Sequence, residues 1–504
     1  MSSQATQFAP LAAASAAAGA AAITYRPILH SYFWNDDFAW LYLLTNRPTN
    51  ELLFTQMGGH VLVLGNAMFT LLHAVAGLDA RWYFACVLAT HVVNVLLLFR
   101  VTWLLSDSIV LATFASFLWG TCFSCGGALA WYSVYPEVLA TTCVLAALGR
   151  LAERARTASS VLPSDILVTG LLLAAGSLLF GTAIAAALVF PAVVLLLLPE
   201  TLHSMRRLAG LAAIPLGVMG FYVGAQAISV WVFAQRTSAP ELVVWLTHGG
   251  LLALAAWFHL LRVGIAALVL GSWWRPLDRS DSTSLLAAGA VVGGWLWTLH
   301  AEAGRRRRAL LAVLVLATAT YALIAAGRGP GGVFLWRLSM PMVGGTLRYH
   351  YAAQPFFAVA ISLLLAALGE RLPARPALGS CILLSWGALL VLGWLWHPAP
   401  LDLHAESRGQ VREAWETIRA RILEAPPDTT VYLEARPMRE FGALPNSRLL
   451  LPGWPGLFAI MEPTDDYEGR RVRFVAPTLS AYQQFAERGD RLATLLVPPD
   501  HDHR

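Results

Sequence analysis

Apolar residues occur along most of this chain in unbroken runs of bilayer-spanning length, separated by short polar segments. The runs at residues 82–104, 110–130, 208–230, 284–299, 310–326 and 381–396 each predict one membrane helix. One more span ends near residue 148, and another carries the chain from Tyr351 back toward Arg371. The run 166–198 is too long for one crossing and holds Gly181-Thr182 near its middle, so it predicts a hairpin of two short spans. Residues 1–24 are alanine-rich, lack any charged side chain and lack the basic start of a secretory signal; they read as an uncleaved first span. Residues 31–81 mix polar and apolar positions too finely for a span, which predicts an outer loop with helices lying along the membrane surface.

Charge sets the direction of these spans. The strongest basic clusters, Arg206-Arg207 and Arg305 to Arg308, mark the cytoplasmic side, so an even number of crossings should separate them. Three apolar runs lie between, and the run around His259 and Arg262 is the one interrupted by polar residues. It is therefore expected to be a re-entrant or interfacial element on the outer face. The sum is about eleven spans, with the N-terminus inside and the C-terminus outside. Composition agrees: of 504 residues 57% are hydrophobic and only 13% charged, and mean hydropathy is +0.60. This is a multi-pass membrane protein of the kind expected in a bacterial inner membrane, an all-α bundle over residues 1–397. Residues 398–504, rich in Arg, Glu, Asp and Pro, read as a small extracytoplasmic α/β domain, with a helical stripe at Val411, Trp415, Ile418 and Ile422 and strands near 430–433, 472–475 and 492–497. All 35 basic residues are arginine, the net charge is +5, and the arginines fall between spans, so no nucleic-acid partner is implied.

Candidate chemistry gathers on the outer side. Asp36 and Asp37 follow the first span inside an aromatic collar of Tyr32, Phe33, Trp34, Phe38 and Trp40, which places the pair at a membrane face as an active-site edge, unless the aspartates merely cap the next helix. The segment from Trp131 to Glu137 repeats that theme around one carboxylate, and Glu137 is a second site candidate or a helix-opening acid after Pro136. Arg348 and Tyr349 close the outer loop 328–351, where a guanidinium can grip a phosphate with two N–H groups or anchor the chain to headgroups. His91 and Asn94 share one helix face that must look toward protein, and interhelical hydrogen bonding explains both, although His91 is kept as a candidate together with His60 of the first loop. Cys122 and Cys125 sit within an apolar run as small residues on one face, and the scattered cysteines imply neither a zinc site nor a disulfide framework.

Taken together and in order, the acidic pair, His91-Val92-Val93-Asn94, Pro136-Glu137 and Arg348-Tyr349-His350-Tyr351 resemble the GT-C superfamily of integral membrane glycosyltransferases, especially its protein O-mannosyltransferase-like branch. The resemblance covers about residues 32–368, and departs at Phe180-Gly181-Thr182 and at Val61-Leu62-Val63. It implies inverting transfer of a sugar from a polyprenyl-phosphate donor to a hydroxyl on a protein, lipid or glycan. Asp36 would then act as the general base with Asp37 beside it, and Arg348 with Tyr349 would hold the departing phosphate. No cofactor is expected: Asp36, Asp37 and Glu137 form a set that suits Mg²⁺ or Mn²⁺, but the resembled branch is generally metal-independent. A non-catalytic envelope-assembly partner and a lipid or polysaccharide transporter remain the alternatives, and Asp36→Ala separates an enzyme from a scaffold.

Overall fold

The computed structural model describes residues 3–33, 37, 40–41, 44, 48–57, 60–77, 79–157, 160–233, 239–271, 281–334, 340–371, 386–387, 420, 423–424, 426–427, 430–434, 466–467 and 470–475. Asp36 and the expected last span and third C-terminal strand lie outside them, apart from two residues of that span.

Helices dominate. After α1 (Ser3–Tyr25), a short helix α2 (Thr49–Leu53), a hairpin of β1 (Gln56–Met57) and β2 (His60–Val61), and α3 (Val63–Ala76) build the first loop. The bundle follows as α4 (Ala80–Ser106), α5 (Ile109–Gly120), the single turn α6 (Gly126–Leu129), α7 (Tyr135–Thr157), α8 (Pro163–Leu179), α9 (Thr182–Leu197), α10 (Met205–Trp231), α11 (Ala239–Leu270), α12 (Asp281–Ala301), α13 (Gly304–Phe334), α14 (Met340–Gly345) and α15 (Gln354–Arg371). Among the described residues, 8 helices are long and apolar enough to cross a membrane, or 9 if the bent pair α5–α6 counts as one span. The shorter α8 and α9 form the expected hairpin, broken at Phe180-Gly181. What is described of residues 398–504 includes a three-stranded sheet ordered β3 (Thr430–Glu434), β5 (Arg470–Val475), β4 (Asp466–Tyr467), with β3 and β5 parallel.

Arginines gather one end of the bundle. Arg305 and Arg156 reach Asp107 at 3.3 and 3.0 Å, Arg150 reaches Asp165 at 2.8 Å, and Arg371 donates to the Ala301 carbonyl at 2.5 Å. These contacts draw together the C-terminal ends of α4, α7, α12 and α15 with the N-terminal ends of α8 and α13. The opposite end, the site end, carries the first loop, the turn before α7 and the 3-10 turn Leu347–His350.

Two elements take a form the apolar pattern alone does not show. The run around His259 and Arg262, expected to be re-entrant or interfacial, lies within the continuous 32-residue α11, whose Gly249–Leu270 is apolar and long enough to span. Its polar residues do not break the helix because they turn inward: Arg262 is buried and hydrogen-bonds His259 at 3.2 Å, and the Gly344 backbone packs on His259. The last turn of α11 meets Phe123, Ala287 and Leu347; Ala287 lies fourteen residues before Ala301, so at 1.5 Å per residue α11 stops about 20 Å from the arginine end. The second element is at 110–130, where one straight span was expected. The chain bends by 46° after Gly120 into the 3-10 turn Phe123–Cys125, and the Cys122 carbonyl that opens this turn accepts from both the Cys125 N–H at 3.0 Å and the Tyr25 hydroxyl. Cys122 and Cys125 are free thiols at this break rather than neighbours on a regular helix face.

Candidate functional site

The site grows from the turn Trp131 to Glu137. Trp131 is extended, Tyr132–Val134 make one 3-10 turn, and Tyr135-Pro136-Glu137 begin α7, where proline fits because its missing N–H falls among the donors a helix start leaves unpaired. The first loop is bound to this turn. Asp37 is fully buried, and its Oδ1 accepts from both the backbone N–H of Ser133 at 2.6 Å and the Ser133 hydroxyl. Rings pack around that contact: Tyr83 on Tyr132 at 4.8 Å, Phe69 on Tyr132 at 4.7 Å and Phe33 on Tyr83 at 5.1 Å. The collar expected to face headgroups is thus turned inward at Phe33 and Trp40, because these rings find aromatic partners across the loop.

Arg348 reaches the same turn from the far end of the chain. Its backbone can approach because residue 127 is glycine: a Cβ there would stand 2.7 Å from the Arg348 nitrogen. The guanidinium lies over the Trp131 ring at 4.6 Å and over the Tyr349 ring at 5.0 Å, and its hydrogen bond to the Tyr349 hydroxyl is long at 3.4 Å. No carboxylate pairs with it among the described residues. Glu137 is buried, its Oε1 has no hydrogen-bond partner there, and Arg348 and Arg328 both lie near enough for their charges to act on it. One turn below, Thr141, Val144, Thr182, Ala186, Thr320, Ala352 and Phe356 line a small cavity inside the bundle.

The two histidine candidates are placed differently. His60 stands on β2 against Phe180 and Gly181. Gln226 donates to the Tyr222 hydroxyl at 3.1 Å, and that hydroxyl shares a hydrogen bond with His60 Nδ1 at 3.2 Å. Burial, and secondarily the positive charge of Arg328, lower His60 from 6.5 to about 4. His91 is committed on both sides: Nε2 donates to the Gly120 carbonyl at 3.0 Å, and Nδ1 accepts from the Tyr351 hydroxyl at 2.9 Å, which in turn accepts from Asn94 at 3.2 Å. This network spans the bend after Gly120 and leaves His91 no free nitrogen.

Around one turn, therefore, stand a guanidinium and a carboxylate oxygen that have no anion and no donor among the described residues, and a buried aspartate carried in by the first loop. Among the described residues no three His, Cys, Asp or Glu side chains meet as a metal site, and Asp36, the third carboxylate of the expected set, lies outside them. Reading the sequence did not find Ser133, Arg328 or Tyr222. For Arg328 a signal existed, a single cation at the outer end of an apolar helix; for Ser133 and Tyr222 none did.

No protein-family model matches the chain, and no curated protein matches it in sequence. Three solved structures of the oligosaccharyltransferase of Archaeoglobus fulgidus are similar in part. The one tethered to an acceptor peptide with the NVT sequon is 16% identical, covers 81% of this chain and 56% of its own, at a TM-score of 0.42. The one with an inhibitory peptide and dolichol-phosphate is 14% identical, with 85% and 62% covered and a TM-score of 0.42. The complex with Zn and sulfate is 14% identical, with 76% and 52% covered, at 0.37. The chain thus spans little more than half the length of these structures, and at such scores the likeness carries no weight for fold or function.

Proposed function

We propose that the protein is a membrane glycosyltransferase that moves a sugar from a polyprenyl-phosphate donor to a hydroxyl acceptor at the site end of the bundle. The observation that carries this reading is Arg348: a guanidinium with no carboxylate partner among the described residues, held over Trp131 at 4.6 Å, beside the turn that bears Glu137 and binds Asp37. Glycosyl transfer with inversion needs a cation where phosphate departs and a carboxylate where the acceptor hydroxyl loses its proton, on opposite sides of the anomeric carbon. A lipid-linked phosphate stays at headgroup level, so both groups must meet at one face, and the arginine clusters mark the other face as cytoplasmic. In this reading Arg348 and Tyr349 take the phosphate, Asp36 is the base, and Asp37, fixed by Ser133, positions its neighbour. Glu137 and His60 border the acceptor side, and His91 serves the packing of α4. The ordered motifs resembling the GT-C glycosyltransferases support the same assignment. Acceptors may be sought among proteins, lipids and glycans of the envelope, and the membrane is taken as a bacterial inner membrane.

Mass spectrometry of envelope glycans and glycoproteins from cells lacking the protein tests this. One sugar should vanish, return with the wild-type chain and stay absent with Asp36→Asn. An unchanged glycan profile, or full restoration by both Asp36→Asn and Asp37→Asn, contradicts it.

A further inference from the structure

We propose that the Trp131 indole N–H and the Arg348 guanidinium form a two-donor clamp on one phosphate group at the site end. Trp131 Nε1 is shut off from solvent and has no acceptor among the described residues. An indole nitrogen can only donate, and leaving a buried donor unpaired costs about 1–3 kcal/mol, so the position is complete only when an acceptor oxygen arrives. The neighbouring charge says which acceptor fits. Arg348 lies over the Trp131 ring at 4.6 Å, so a cation stands beside the unpaired indole donor, and an oxyanion suits the two together. Its hydrogen bond to Tyr349, the one it makes among the described residues, is long at 3.4 Å. The turn is also built for close approach, since Gly127 admits the Arg348 backbone where any Cβ would collide. A phosphate offers several oxygens, so one group can accept from the indole N–H and the guanidinium together.

This inference rests on the reading of Arg348 as the donor-phosphate cation and adds a residue that reading does not contain. Binding of polyprenyl monophosphate to the purified protein in detergent micelles tests it. Trp131→Phe keeps a ring under Arg348 and removes the N–H, and should weaken binding about 10-fold, the worth of one hydrogen bond to a charged group. Naphthylalanine at 131 keeps the ring size as well and should weaken it equally, a loss that packing alone would not produce; it serves as the deciding variant where Trp131→Phe does not fold. Arg348→Ala should abolish binding. Wild-type affinity in the naphthylalanine protein, with binding lost in Arg348→Ala, overturns the clamp and leaves the glycosyltransferase reading standing. Wild-type affinity in both overturns the two together.

Discussion

Ser133 fastens the first loop from 96 residues away, giving both its backbone N–H and its hydroxyl to the buried Asp37. Hydrogen bonds to charged groups contribute about 1.5–3 kcal/mol, so Ser133→Ala should lower stability by about 2 kcal/mol while Ser133→Thr keeps most of it. Thermal unfolding in detergent measures this, and an unchanged midpoint for Ser133→Ala contradicts the fastening. His60 adds a pH dependence whose sign follows from its shift. The folded chain holds it at about 4 while the unfolded chain titrates near 6.5, so as pH falls from 6.5 to 4 the unfolded state takes up a proton the native state refuses. Stability present above 6.5 is lost through that window. The wild-type midpoint should therefore drop more between pH 7 and pH 5 than that of His60→Gln, and parallel drops would show that His60 does not titrate as described.

Away from the arginine end, glycine positions set how closely the helices approach. A Cβ on Gly264 of α11 would overlap the Tyr321 hydroxyl and come within 3.1 Å of His350 Nδ1, while Gly289 of α12 has nothing within 4 Å. Gly264→Ala should destabilise by about 1–3 kcal/mol through overpacking, and Gly289→Ala should be neutral or stabilising through better helix propensity. Equal effects at the two sites would contradict the packing of α11 on α13. The same element shows where sequence reading ended. The hairpin break at Phe180-Gly181 was legible because an apolar run too long for one crossing must turn. The continuity of α11 was not, because His259 and Arg262 look like an interruption until their bond to each other and the packing of Gly344 on His259 are seen. The bend after Gly120 was hidden as well, since the side chains that bond its carbonyls, Tyr25 at Cys122 and His91 at Gly120, lie 97 and 29 residues earlier.

Across the whole molecule, hydrophobic run length and arginine placement carried most of the bundle, because both report local contact with lipid or water. The site was legible only as a set of residue types. What joins Asp37 to Ser133, His60 to Tyr222 and Arg348 to Trp131 is contact across 96, 162 and 217 residues, the last being 348 minus 131, and no periodicity records such pairs. Sidedness yields one further expectation. If the arginine end is cytoplasmic and residues 381–396 cross once more, as proposed, residues 398–504 are expected outside, so alkaline phosphatase fused after Arg504 should be active, and a fluorescent cytoplasmic reporter there would reverse the topology. The central claim is sugar transfer from a lipid phosphate held by Arg348. Its most direct test is transfer of labelled sugar from polyprenyl-phosphate donors by the purified protein in liposomes, wild type beside Arg348→Ala. Transfer by the wild type that falls at least about 100-fold in Arg348→Ala, as expected on removing a cation that stabilises the leaving group, is the predicted result; transfer undiminished in Arg348→Ala, or none from any lipid-phosphate sugar, would contradict the account.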